Sequence, residues 1–590
     1  MPLFESAATD KDMLAYEDSA AVISAEGEDE QPLLTSSAPS EWPVSGSPRR
    51  LQRLVSSATL TLLHENSKAK GYMHEIGRLL ALSIPLVVTN TSSFLISMIS
   101  IVFVGHIGKF ELSVVVLAAS IFNVTGLSFL LGSLGALETL CAQAYGAKNY
   151  PAVGIVLQRS LLFTTTLAAL VAAMWSQADK LLRFLGQDPA ISAAAASYLH
   201  WSIPALFFVG SGDCLKRYLT AQNCVAPATV ASIIAMVVAP LFNWILVVKR
   251  SEGLYGAAMA ANLAQGVPFI VMVLWTVHRE ASMKAAASPE QTWHGWSKEA
   301  LRGWGEYLKL AGPSAAMVCL EWSTFEACVI LAGWLADPEQ NVAVMGLVLN
   351  ISGLLYMLPQ GLGSATSVRV GNALGAGLPR AAKRSAYAAF GMVLLTQVVL
   401  AMGTLACRNT AAYLFTDDVD VASAAAKIFP IMAWCLLGDG VNSTVAGVLR
   451  GAGRQELGAM FNLVAYWVVG LPLAGFLAFK VNLGVIGLWM GLATCASFNG
   501  VAMTVAMVRM QWKEEALRAT GKAVLAHGAD EDSGDEEERR QSGSSNNTHS
   551  NGHSYSQQHH PHAHHSAAVE FTDVAHAKNT SRRNHIDDDL

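Results

Sequence analysis

Two carboxylates sit in the middle of an apolar stretch. Residues 308–335 are long enough to cross a bilayer as a helix, and Glu321 and Glu326 interrupt them near the centre, with Pro313 near one end. An acid at the centre of a membrane helix costs about 2.5–3.5 kcal/mol. Either it stays protonated and only packs, or it faces a water-filled cavity and binds a proton or a cation. The second use is what intramembrane acids generally mark. Five residues on a 3.6 period amount to a rotation of about 140°, so the two glutamates cannot both point straight into one cavity. One of them is expected to play a supporting role.

The elements that must position these acids are membrane helices. Of 590 residues, 52% are hydrophobic and only 14% charged, against about 25% charged in soluble domains. Apolar spans are expected near 78–102, 112–136, 154–176, 193–215, 226–248, 254–277, 308–335, 342–366, 384–407, 422–446, 458–479 and 484–508. The fold class is therefore an all-α polytopic membrane protein with twelve transmembrane helices. The net charge of -6 sits largely in the tails and gives no indication of a nucleic-acid partner. The eight cysteines lie in or beside apolar segments and form no CxxC pair, which argues against a disulfide framework or a zinc site. No GxxxxGK[ST] loop is present, so ATP-driven export is excluded for this chain, and no catalytic constellation points to an enzyme.

Basic residues concentrate in the loops after even-numbered spans, among them Lys216, Arg217, Arg279, Lys284, Arg380, Arg450 and Arg454. The positive-inside rule then places both termini in the cytosol. Five regions are expected: a disordered N-terminal tail over 1–73, a first lobe over 74–278, a polar, basic linker over 279–306, a second lobe over 307–512 and a disordered acidic and His-rich tail over 513–590. The first tail contains an acid four residues before Leu33 and Leu34, resembling the dileucine signals read by sorting adaptors on the way to vacuolar or lysosomal membranes. The membrane is thus vacuolar, endomembrane or plasma membrane. In the second tail, His559–His565 reads as a low-complexity tract, able at most to hold zinc or copper loosely.

The chain repeats itself. Ala144-Tyr-Gly-Ala matches Ala373-Leu-Gly-Ala, Pro85 matches Pro313, Pro240 matches Pro472 and Gly256 matches Gly487, at offsets of 229, 228, 232 and 231 residues. Six spans separate the copies, so they share an orientation and are related by an axis along the membrane normal. Transporters with a central cavity between two bundles have this organisation.

These motifs carry a family resemblance. Val104-Gly-His-Ile-Gly-Lys, Ala136-Leu-Glu-Thr-Leu-Cys-Ala-Gln-Ala-Tyr-Gly-Ala, Cys319-Leu-Glu-Trp-Ser-Thr-Phe-Glu, the run from Pro359 to Gly377, and Gly438-Asp-Gly through Arg450-Gly-Ala-Gly-Arg resemble a multidrug and toxic compound extrusion (MATE) transporter of the plant and algal type, over roughly residues 74 to 515. The resemblance implies a V-shaped fold of two pseudo-symmetric six-helix bundles. It also implies export of organic solutes driven by inward flow of H⁺, with Na⁺ as the alternative, and no cofactor. It assigns the coupling acids to Glu326, with Glu321 nearby, and Asp439. Ser323 stands where a second tryptophan is common and Ala373 where an acid is common. Span 1 offers Asn90, Thr91, Ser92 and Ser93 in place of the aspartate often found in prokaryotic members, which weakens the case for a proton site in the first lobe.

Desolvation penalises an ionised carboxyl group, and exchange of a proton for a cationic solute at one acid needs only that the two compete. Trp322, Tyr356, Met357, Tyr466 and Trp467 are candidate walls for a flat cation, or ordinary packing residues. Asn350, Asn442 and Asn462 either hydrogen-bond substrate and acids or join helices. Pro85, Pro313, Glu138 and Arg369 are gate or hinge candidates, and Asp213 is expected to pair with Lys216 and Arg217 near a span end. The leading reading is an H⁺-coupled antiporter exporting organic cations or secondary metabolites. A citrate-type organic anion exporter and a lipid-linked precursor flippase are the alternatives, and both would want a more basic cavity. The partners are then a small organic substrate, a coupling ion and the bilayer, with the protein a monomer.

Overall fold

Backbone polar groups inside a bilayer have no water to bond, so a chain this apolar satisfies them within helices. The computed structural model describes residues 48–521 except 185 and 417, with side chains from residue 70 apart from 185, 414 and 417. Among the described residues there is no strand. Leu33, Leu34, the acidic run after Asp530 and the histidine tract lie outside them.

Among the described residues twelve helices are long and apolar enough to cross a membrane: α1 Lys70–Gly105, α2 Lys109–Gly146, α3 Tyr150–Trp175, α4 Pro189–Ala221, α5 Ala226–Lys249, α6 Gly253–Ala285, α7 Trp304–Ala332, α8 Pro338–Gly375, α9 Pro379–Ala406, α10 Val419–Gly451, α11 Gln455–Lys480 and α12 Val485–Val508. Their starts follow local chemistry. The side chains of Asn149, Asp188 and Asp418 accept backbone N–H bonds at the first turns of α3, α4 and α10, and prolines occupy the opening turns of α3, α4, α8 and α9. The described residues from 76 on form one compact unit, the subject from here on.

The repeat is physical. Pro240 and Pro472 each precede, by four residues, a π-helical turn: Trp244–Lys249 in α5 and Phe476–Lys480 in α11. Close inter-lobe contacts come in related pairs. Gly132 of α2 lies against the backbone of Ala315 in α7, and Gly361 of α8 lies against the backbone of Val87 in α1, with 229 residues between the glycines and 228 between their partners. At the far end of α2, Gly146 abuts the carbonyl of Asn372 while Gly375 abuts the carbonyl of Gln143. A methyl group at either glycine would collide with that carbonyl.

Three expected boundaries shift. The first helix begins at Pro48, inside the tail expected to be disordered to residue 73. The first lobe does not end at 278, because α6 continues to Ala285. Glu280 explains this: it accepts from the Tyr218 hydroxyl at 3.0 Å, Thr292 Oγ1 at 2.8 Å and the Trp293 N–H at 3.1 Å, docking the linker on α4 and α6. Gln158 of α3 grips the linker further on, donating to the Gly295 carbonyl at 2.7 Å and accepting from the Ser297 N–H at 2.8 Å. Finally, residues 512–521 are helical where a disordered tail was expected from 513. Trp512, Ala516 and Ala519 recur at helical spacing and pack with Val370, Leu374, Ala382 and Ala386 of α8 and α9. The buried Glu515 accepts from Arg454 Nη2 at 2.7 Å and Nε at 3.0 Å.

Candidate functional site

Glu321 lies on the face of α7 turned toward α8 and α10. Its Oε1 accepts from the Tyr356 hydroxyl of α8 at 3.1 Å. Asp439 of α10 is 4% exposed; Cys435 Sγ, one turn earlier, donates to Oδ2 at 3.4 Å, and Oδ1 has no hydrogen-bond partner. Tyr466 of α11 is fully buried within a further π-helical turn, Leu463–Gly470. Its hydroxyl accepts from Asn442 Nδ2 at 3.3 Å and also reaches Asp439. Asn442 Nδ2 bonds the Ala496 carbonyl of α12 at 3.2 Å as well, and its Oδ1 is unpartnered. Glu321, Asp439, Tyr356 and Tyr466 are within electrostatic reach of one another. Among the described residues no cation forms an ion pair with either acid. Enclosing two carboxyl groups this way makes the doubly ionised state costly.

The pairing differs from the order implied by resemblance, which put Glu326 ahead of Glu321. Glu326 points the other way, and its Oε2 accepts from Ser120 Oγ of α2, in the first lobe, at 3.1 Å. The rotation of about 140° separates the two acids as their spacing requires.

The other candidates divide. Tyr356, Tyr466 and Asn442 belong to the acid cluster. Asn462 joins helices: its Nδ2 donates to the Met317 carbonyl of α7 at 2.8 Å, and its Oδ1 accepts from Asn499 of α12 at 2.9 Å. Asn350 is exposed and bonds only its own helix, at the Gly346 carbonyl, 2.9 Å away. It is not brought to the acids. Trp322 is partly buried beside Glu321 on α7. Pro85 and Pro313 lie inside α1 and α7; the Pro85 carbonyl accepts from Thr89 at 2.8 Å and Thr229 at 3.1 Å, tying α1 to α5. In α1, Ser93 bonds the Thr89 carbonyl of its own helix. Arg369 is partly buried near the end of α8. Glu138 is buried on α2 and accepts from Arg217 Nη1 at 2.6 Å, while Arg217 Nε bonds Asp213 Oδ2 at 2.7 Å and Lys216 also pairs with Asp213.

The MatE family model matches residues 85–245 and 313–476, one block in each lobe. This chain belongs to the MatE family. It is 36% identical over 461 residues to Protein DETOXIFICATION 16 of Arabidopsis thaliana, a match covering 78% of this chain and 93% of that relative. It is 34% identical over 477 residues to Multidrug and toxin extrusion protein 1 of Homo sapiens, covering 81% of each. The crystal structure of the eukaryotic MATE transporter AtDTX14 matches with a TM-score of 0.73 at 31% identity, over 77% of this chain and 100% of that one. The protein is a membrane transporter of the MatE type and not an enzyme.

Some residues of this MatE site escaped notice in the sequence. Cys435 counted only as one of eight cysteines in or beside apolar segments, yet it lies one turn from Asp439 and bonds it. Gln397 of α9 is buried with both amide atoms unpartnered and packs directly on Gly440, next to Asp439. A lone amide in an otherwise apolar span was the available signal.

Proposed function

We propose that this MatE transporter exports organic cations in exchange for H⁺, and that Glu321, held by Tyr356, and Asp439, close to Tyr466, form the exchange site. The observation that carries the reading is the enclosure of two carboxyl groups without a paired cation. Such a pair accepts positive charge, whether as a proton or as a cationic solute, and one excludes the other. The names of the relatives, which speak of detoxification and of multidrug and toxin extrusion, support the outward direction and foreign organic solutes in general. Na⁺ is the alternative ion. The surrounding groups are hydroxyls, a thiol and amides that serve a proton equally well, so H⁺ is the simpler reading. We also infer that both termini face the cytosol, from the basic even-numbered loops.

The test is uptake of a fluorescent organic cation into proteoliposomes under an imposed pH gradient, with Na⁺ absent. Glu321→Gln and Asp439→Asn keep shape and remove the titrating proton, so each should abolish pH-driven flux while the protein still folds. Glu326→Gln, on the opposite face, should retain part of it. Full pH-driven flux in both of the first two variants would place the exchange site elsewhere.

A further inference from the structure

A basic face covers the start of α9. Arg380, Lys383 and Arg384 of its first turns are exposed, and so are Arg509, Lys513 and Arg518 at and beyond the end of α12. The two segments form one surface. Trp512, Ala516 and Ala519 pack on Ala382 and Ala386, and a methyl group on Gly377, two residues before α9, would touch Thr520 Cγ2 at 3.6 Å. Lys383 lies over the Tyr387 ring, 5.7 Å from its centroid. Arg518 approaches the buried Glu515, already forked by Arg454, at 3.5 Å. Among the described residues, Arg380, Lys383, Arg384, Arg509 and Lys513 pair with no acid. Glu514 is the one exposed acid within 379–388 and 509–521. Like charges so placed repel one another unless an anion lies among them.

The first lobe shows what crosses the equivalent place. There the chain leaving α6 runs over the start of α3: the Thr292 carbonyl abuts Gly154, Gln158 holds Gly295 and Ser297, and Arg159 Nη2 donates to the Glu299 carbonyl at 3.3 Å. Tyr150 opens α3 and Pro379 opens α9, 229 residues later, while Gly256 of α6 and Gly487 of α12 stand 231 apart. These offsets match linker residues 291–299 to 522–530, and Gly154 with its neighbour Ile155 to Lys383 and Arg384. Cations thus replace a small and an apolar residue on the counterpart of a path that the first lobe binds. Along that path come seven acids in nine residues, Asp530-Glu-Asp-Ser-Gly-Asp-Glu-Glu-Glu. The nine steps from Gly521 to Asp530 span at most about 32 Å, and Thr520 already stands beside Gly377, three residues from Arg380.

We propose that residues 530–538 of this chain dock across the basic face formed by the start of α9 and the helix at 512–521. Their carboxylates pair with Arg380, Lys383 and Arg384; each exposed pair is weak, but the short tether makes the set act together. The docked run occupies a face at the ends of two spans that would otherwise attract an anionic lipid surface. No residue of the exchange site takes part, so transport per molecule does not depend on the docking.

The test is the distance from the run to the helix, read by electron paramagnetic resonance on the full-length protein in phosphatidylcholine nanodiscs at low salt. Spin labels go on Gln511→Cys and Ser533→Cys, with the exposed Cys407 replaced by serine. Docking gives one narrow distance. Arg380→Glu, Lys383→Glu and Arg384→Glu together should broaden it to the spread of a free 12-residue chain beyond Gly521, about 19 Å root-mean-square. Salt at about 1 M, where the screening length is about 3 Å, should do the same. Asp535→Lys, Glu536→Lys, Glu537→Lys and Glu538→Lys together should broaden it equally, and they leave the basic face untouched should the triple reversal not fold. Joining both reversals should restore the narrow distance, which a merely structural role of these cations would not do. A broad distribution in the parent protein, or a narrow one that neither reversal alters, would overturn the proposal. Loss of co-purified anionic lipid from the triple reversal, with the distance unchanged, would give the face to lipid and overturn it likewise.

Discussion

Replacing Glu515 with alanine should release the helix at 512–521. A helix this short does not hold in water alone, because nucleation is costly and propagation short. It persists through the burial of Trp512, Ala516 and Ala519 and through the fork between Arg454 and the buried Glu515. Hydrogen bonds to a charged group are worth about 1.5–3 kcal/mol. About a third of the Arg454 side chain is exposed, so solvent screening reduces its share. A loss of about 1–2 kcal/mol of local stability remains, which is about five- to thirtyfold faster amide exchange, at about 1.36 kcal/mol per factor of ten. Hydrogen–deuterium exchange on the purified full-length protein reads this directly at 513–521, with α12 as the internal control. Trp512→Ala should accelerate exchange further, since truncating a buried tryptophan costs about 3–5 kcal/mol. Unchanged protection in Glu515→Ala would refute the reasoning and leave apolar burial as the sole anchor.

Deleting 522–590 should leave transport per molecule intact, whereas deleting 512–590 strips the cover from Val370, Leu374 and Ala386 and should lower the thermal midpoint in detergent. Gly375→Val and Gly146→Val should each destabilise by about 1–3 kcal/mol through overpacking against a carbonyl; midpoints equal to that of the parent protein would contradict the contact. Ser120→Ala removes the hydroxyl that reaches Glu326 across the lobes and should cost about 0.5–1.5 kcal/mol, changing flux by no more than about tenfold and leaving proton dependence unaltered. Alanine at both Leu33 and Leu34 should redirect the protein in cells, and unchanged location would end the sorting idea.

Much of the architecture was legible because its signals are redundant. Twenty-residue apolar runs mean membrane helices almost regardless of their neighbours, and markers at offsets near 230 residues mean two copies. Rotational facing was not legible. In helices apolar all round, the side toward which Asn350 or Glu326 turns depends on packing, and the π turn at Leu463–Gly470 resets the face that carries Tyr466. Glu321 and Asp439 could be named as intramembrane acids, but their juxtaposition needed α7, α8 and α10 in register. Charged residues near span ends misled most. Glu280 read as the edge of a loose linker and Arg450 as a loop cation, yet both sit at places where one segment is fastened to another. The helix at 512–521 carries only three apolar positions at helical spacing, too few to stand out beside a long polar tail.

The paired contacts of α2 and α8 have a consequence for the symmetry of the chain. Gly146 touches Asn372 as Gly375 touches Gln143, and Gly132 meets α7 as Gly361 meets α1. In a two-fold dimer, residue i meets j and j meets i on one self-complementary patch. The seam between the lobes has that form, written within one chain. One chain thus carries the self-complementary seam that a homodimer would form, with the linker as the joint. Away from the seam the two halves need not match. Ser93 of α1 stands 228 residues before Glu321, the same offset that separates Pro85 from Pro313, and it carries a hydroxyl where the second copy carries an acid. The seam is symmetric because both halves meet on it, while residues away from it are free to differ.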